Sequence, residues 1–200
     1  MRAEPARETL IGTVRHANES GQAVLGRERR RERREERDAT RYQMRQRMIS
    51  IGDDYVIEND RGERVFRLDG KALRVRKTIV FEDMDGRELC KIQERMLHVR
   101  DSMEIEGPDG KRLAMVHKAM ITPLRERWVV DLEDGPDLHA QGNFVDHEYT
   151  IEREGDKIAE VSKRWFRVRD TYGVEVVPDE NDVLILATTA VIDTMVHPDR

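Results

Sequence analysis

The chain has 200 residues, one cysteine and a formal net charge of −5, and its charged residues, at 38%, equal its hydrophobic ones. That length suits one domain with a substantial core plus an extension. A lone Cys90 excludes a disulfide framework and a thiolate metal cluster, and no apolar run reaches the roughly 18 residues of a membrane-spanning helix, so a soluble, cytoplasmic chain is expected.

Charge is distributed unevenly. Residues 27–47 hold ten Arg against four Glu and one Asp, and from Met48 onward 23 basic residues face 33 acidic ones. The bulk of the chain is therefore acidic and repels phosphate backbones, which makes nucleic acid an unexpected partner. Residues 1–40 form a charged, Arg-rich extension, and from Gly26 to Arg47 there is almost no apolar residue to bury. Of the six i,i+4 pairs from Glu28–Glu32 to Arg33–Arg37, five are like-charged. Each such pair costs helix stability, so disorder or a marginal helix is expected there.

From Ile49 the pattern changes to period two, interrupted by turn residues. Four hairpins are expected, with turns at Gly62, Gly86, Gly110 and Gly155, and the first three of these glycines are 24 residues apart. Met103 and Ile105 set against Ser102, Glu104 and Glu106 show the alternation most clearly, with one face dry and one wet.

The segment 183–196 breaks this pattern. It follows Pro178-Asp179-Glu180-Asn181, where Asn181 or Asp182 can cap a helix, and it stops before Pro198. The expected helix is apolar on nearly every side, so it has to be surrounded. About 14 residues at 1.5 Å each span only about 21 Å, too short for a bilayer. Protein must enclose it. The expected fold is mainly β: residues 41–200 as a closed antiparallel barrel of about twelve strands around this central C-terminal helix.

Several stretches carry a family likeness: Tyr42 to Gln46 and Ser50 to Tyr55, Val65 to Leu73, Thr122-Pro123-Leu124-Arg125, Gly142-Asn143-Phe144, Val161 to Phe166, Asp170 to Val176, and Ile192-Asp193 in the closing helix. Together, in this order over residues 41–196, they resemble the LURP-one-related family. The resemblance implies the tubby C-terminal-like fold, a barrel of about twelve strands with a central C-terminal helix. It implies no settled activity. Structural relatives in tubby proteins and scramblases act on phosphoinositides or membranes, which is an analogy of fold.

Signs of catalysis are absent from the sequence. It contains no Gly-x-Ser-x-Gly, P-loop or Rossmann pattern, so the domain is not expected to be an enzyme. Glu82 to Gly86 lacks the spacing of a calcium loop and reads as a turn; Asp131, Glu133, Asp134 and Asp137 read as an ordinary acidic loop. His98, His117, His139 and His147 fall on separate predicted strands without zinc-site spacing, and Cys90 reads as a small core residue. No metal or cofactor is expected.

One cluster combines cations with aromatics: Lys163, Arg164, Trp165, Arg167 and Arg169, with Phe166 among them. Arginine forms bidentate contacts with phosphate, so these residues are a candidate anion or headgroup site. Alternation alone would make them a strand with Trp165 inward and the cations outward. Arg74, Arg76 and Lys77 form a second basic group, read as a solvated face. The expected function is a non-catalytic binding module engaging anionic phospholipid, peripheral at a membrane, or a protein partner. The alternative is a protein-interaction scaffold with no small ligand.

Overall fold

The strands run in one closed circuit. In the computed structural model, which describes residues 38–45, 55–69, 78–97, 100–119, 127–166 and 171–197, twelve strands follow one another: β1 (Thr40–Arg45), β2 (Tyr55–Asn59), β3 (Arg64–Asp69), β4 (Thr78–Asp83), β5 (Glu88–Leu97), β6 (Arg100–Glu106), β7 (Arg112–Ala119), β8 (Arg127–Leu132), β9 (Leu138–Asn143), β10 (Glu148–Arg153), β11 (Asp156–Ser162) and β12 (Thr171–Val176). Each pairs antiparallel with its chain neighbours, and β1 closes the barrel by pairing with both β2 and β12. Closure removes the open edge that a meander would otherwise present. The chain divides after Ala39, and the Arg-rich extension, apart from its last three residues, lies outside the described residues.

The 24-residue spacing is a repeat of structure as well as of sequence. Turns start at Asn59, Asp83 and Gly107, and each uses the same two backbone bonds, as in Gly62 N–H to Asn59 O and Asn59 N–H to Glu63 O. A bulge precedes each turn, after Ile57, Phe81 and Ile105. These three side chains are wholly buried. The bulge adds the residue that lets the strand twist into a curved wall while keeping the next apolar position inward. A fifth hairpin, β8–β9, turns through Gly135, which the period-two pattern does not mark.

The central helix α1 (Asp182–Val196) starts one residue earlier than the apolar run, with Asn181 as its N-cap: Leu184 N–H donates to Asn181 Oδ1 at 3.0 Å. Every residue from Ile185 to Asp193 is buried, so this stretch has no face on solvent. Around it stand the inward residues of the wall, including Met44, Ile92, Val116, Val130, Ile151 and Val174. Each buried Leu, Ile or Val stabilises by about 1.5–3 kcal/mol, so the helix and its wall depend on each other for most of their burial. The N-terminal end of α1 is fixed by polar contacts at the hairpin rim. Tyr42 Oη–H donates to Asp182 Oδ2 at 2.6 Å, and Arg153 makes a two-pronged pair with Glu180 at 2.7 and 2.8 Å.

Two outcomes are expected. Leu186→Asp places an unpaired charge on the barrel axis and should abolish cooperative thermal unfolding, while Leu186→Ala should cost about 2–5 kcal/mol by chemical denaturation. Cys90 is fully buried, and burial, with Glu88 adding to it, pushes its thiol up to about 12. The unfolded thiol ionises first, so this group's stabilisation is intact below about pH 9 and is lost as pH rises from there towards 12. Folded protein should therefore resist an aromatic disulfide reagent at pH 8 and react on addition of denaturant.

Candidate functional site

Antiparallel meandering sorts the connections between two rims. One rim carries the tight hairpin turns and the start of α1; the other receives the end of α1, the β9–β10 turn and the β11–β12 connection. The two candidate sites both lie at the second rim.

The first contains part of the basic and aromatic cluster. Lys163–Trp165 is a single 3-10 turn at the end of β11 and is not the strand that alternation implied. The chain leaves the sheet because Ser162 and Glu148 offer competing bonds. Ser162 Oγ accepts from Arg164 N–H at 3.1 Å and donates to Glu148 at 3.0 Å, while Glu148 Oε1 also accepts from Lys163 N–H at 3.2 Å. Such side-chain to backbone bonds draw a polar segment out of a sheet ladder. The consequence for Trp165 is a change of side. It lies on the outer wall, half-buried, with the Arg41 guanidinium 5.2 Å from its ring centre. Arg41 is in turn held by Glu175 at 2.6 Å.

Gly173 makes this packing possible. A Cβ at residue 173 would come within 2.6 Å of Trp165 and 2.9 Å of Phe166. Arg164 is the exposed cation of the turn, its side chain 81% accessible and its Nε 3.4 Å from Glu148. Arg167 and Arg169, like Arg74, Arg76 and Lys77, lie outside the described residues.

The second site is one that sequence reasoning missed. His147 is the last residue of the β9–β10 turn, not a strand residue, and it holds a left-handed φ of 54°. That places its imidazole inside the barrel end, 2% exposed, with Nε2 2.6 Å from Asp193 Oδ1 on α1. Its ring stacks on Tyr172 at 4.3 Å between centroids and, nearly parallel, on His197 at 5.2 Å and 15°. His197 caps the helix, its backbone N–H donating to Asp193 O at 2.9 Å. One donor atom each from His147, Asp193 and His197 lie within 4.8 Å of one another. His147 Nδ1 and the Tyr172 hydroxyl are buried without a hydrogen-bond partner among the described residues, and each such group costs about 1–3 kcal/mol. Burial first, and then the Asp193 carboxylate, push the phenols of Tyr149 and Tyr172 well above their ordinary range. The i,i+4 spacing of Asp193 and His197 was visible in the sequence; the arrival of His147 from the opposite wall was not.

The other expected groupings disperse. Glu133 pairs with Arg112, Asp131 faces His117 at 3.4 Å, and Asp137 Oδ1 accepts from Leu132 N–H. A shallow groove of about 730 Å³ runs beside them, bordered by Glu104, Arg112, Met115 and Glu133. Its cations are already committed, Arg112 to Glu133 and Lys111 to Asp109 at 3.2 Å.

The family model of LURP-one-related proteins matches residues 40–193, a span that begins with β1 and ends at the buried Asp193. The chain belongs to the LURP-one-related family. The solved structure of an Arabidopsis thaliana protein is similar to this LURP-one-related chain, with a TM-score of 0.57 at 14% identity, covering 78% of this chain and 91% of that one. At that identity the likeness is one of fold. No curated protein matches.

Gly173→Ala should separate Trp165 from the outer wall. The expected result is a loss of stability of about 1–3 kcal/mol, as for other overpacked sites, with a red-shifted tryptophan emission. Unchanged stability and emission would show that the turn packs loosely.

Proposed function

We propose that this LURP-one-related barrel is a non-catalytic binding module that docks on anionic phospholipid at the rim where α1 ends, using Lys163, Arg164 and Trp165. The observation that carries this reading is the 3-10 turn, which holds an accessible guanidinium beside a half-buried indole on the outer wall. A cation to neutralise a headgroup and an amphipathic ring to sit at the interface are what surface attachment needs.

Charge asymmetry supports the same rim. At this rim the turn Lys163–Trp165 holds two cations and no acid. The hairpin rim instead carries Asp83, Asp85, Glu133, Asp134, Asp179 and Glu180. Along the barrel axis, α1 fills the interior with buried side chains from Ile185 to Asp193. Among the described residues no helix is long and apolar enough to cross a membrane, so attachment would be peripheral.

The test is co-sedimentation with vesicles of phosphatidylcholine, alone or with 30% phosphatidylserine. Binding is expected only to the anionic vesicles, with release by salt. Each surface cation contributes about 1 kcal/mol, so K163A/R164A together should weaken binding by about 30-fold. A chain lacking residues 1–37 keeps β1 whole and should retain rim-dependent binding. Full-length protein that ignores anionic vesicles at low salt would defeat the proposal and favour a protein-interaction scaffold.

A further inference from the structure

We infer that His147, Asp193 and His197 form a binding site for one divalent transition-metal ion of the zinc class. A hydrogen bond between His147 and Asp193 accounts for two of the three residues. A second imidazole, from the helix cap, lies almost parallel to the first beside the same buried carboxylate.

A cation shared by the three side chains fits this arrangement. Two imidazoles and one carboxylate are the donor set that zinc and its neighbours prefer, whereas magnesium and calcium take mainly oxygen ligands. Zinc–nitrogen bonds of about 2.0–2.1 Å set tetrahedral ligands about 3.4 Å apart, so donors within 4.8 Å close on an ion with side-chain shifts on the order of 1 Å. The site lies at the C-terminal end of α1, where the helix dipole adds partial negative charge to that of Asp193. His197 is only half-buried, at the barrel end.

His147 is held for this role by backbone geometry. A left-handed φ in a residue other than glycine is uncommon. Here it turns the imidazole in from the β9–β10 turn to meet Asp193 on α1 and His197 at its C-cap. The bound ion would pin the helix end to the wall, linking the rim that bears the 3-10 turn to the core. This inference does not rest on lipid binding and survives its failure.

Full-length protein stripped with chelator should bind one Zn²⁺ per chain by titration calorimetry. At a hundredfold excess over Kd its melting temperature should rise by about 5–10 °C. Mg²⁺ and Ca²⁺ should leave the melting temperature unchanged. His197→Gln, at a half-buried position that a folded chain tolerates, should lower zinc affinity at least tenfold, and Asp193→Asn should do the same. His139→Gln, on the exposed face of β9, should bind as the wild type does. Zinc that leaves the melting temperature unaltered, or that binds His197→Gln as tightly as wild type, would overturn the assignment.

Discussion

The whole molecule depends on enclosing one helix that has no polar face. From Ile185 to Asp193 the helix α1 is buried all round, and neither water nor a bilayer about 30 Å thick could accommodate a rod of its length. The twelve-stranded wall is the solution, and its geometry follows from that demand. Bulges after Ile57, Phe81 and Ile105 curve the sheet at a fixed interval. The pairing of β1 with both β2 and β12 then shuts it. The helix in turn fills a barrel that would otherwise enclose a large void, so neither part is a stable structure without the other.

This arrangement limits where function can reside. A filled axis moves recognition to the outer wall and the rims, and the meander makes those rims unlike each other. Tight turns rich in Asp and Glu collect at the start of α1; the cationic 3-10 turn and the helix end lie at the other. Two separate features occupy that second rim. One is an accessible cation beside an indole on the outside, the other a group of two imidazoles, one buried and one half-buried, with a buried carboxylate and two phenols just inside. They are tied together through Gly173 and Tyr172, adjacent residues of β12 that point to opposite sides of the wall: Gly173 lies under Trp165, and Tyr172 stacks on His147.

Local features of the fold were legible in the sequence because they have local causes. Alternation marked the strands, spaced glycines marked the hairpins, and an all-apolar run after Asn181 marked the helix. Closure followed from the absence of a polar helix face. The basic cluster was legible as composition and misplaced as geometry. Alternation put Trp165 inside, whereas Ser162 and Glu148 take the backbone out of the ladder and turn the indole onto the outer wall. The histidine cluster was the harder case. Asp193 lies on α1 and His197 at its C-cap, but His147 reaches Asp193 across 46 residues of sequence and through a left-handed turn residue. No periodicity encodes that meeting; it exists only once the barrel has closed.

Native-state hydrogen exchange tests the mutual dependence of helix and wall most directly. If each requires the other, the amides of Ile185 to Val191 and those of inward wall residues such as Ile105 and Val130 should exchange only through global unfolding, with one common free energy and one common denaturant dependence. Helix amides that exchange at a lower free energy, while the strands stay protected, would show a barrel that stands without its core and would contradict the account.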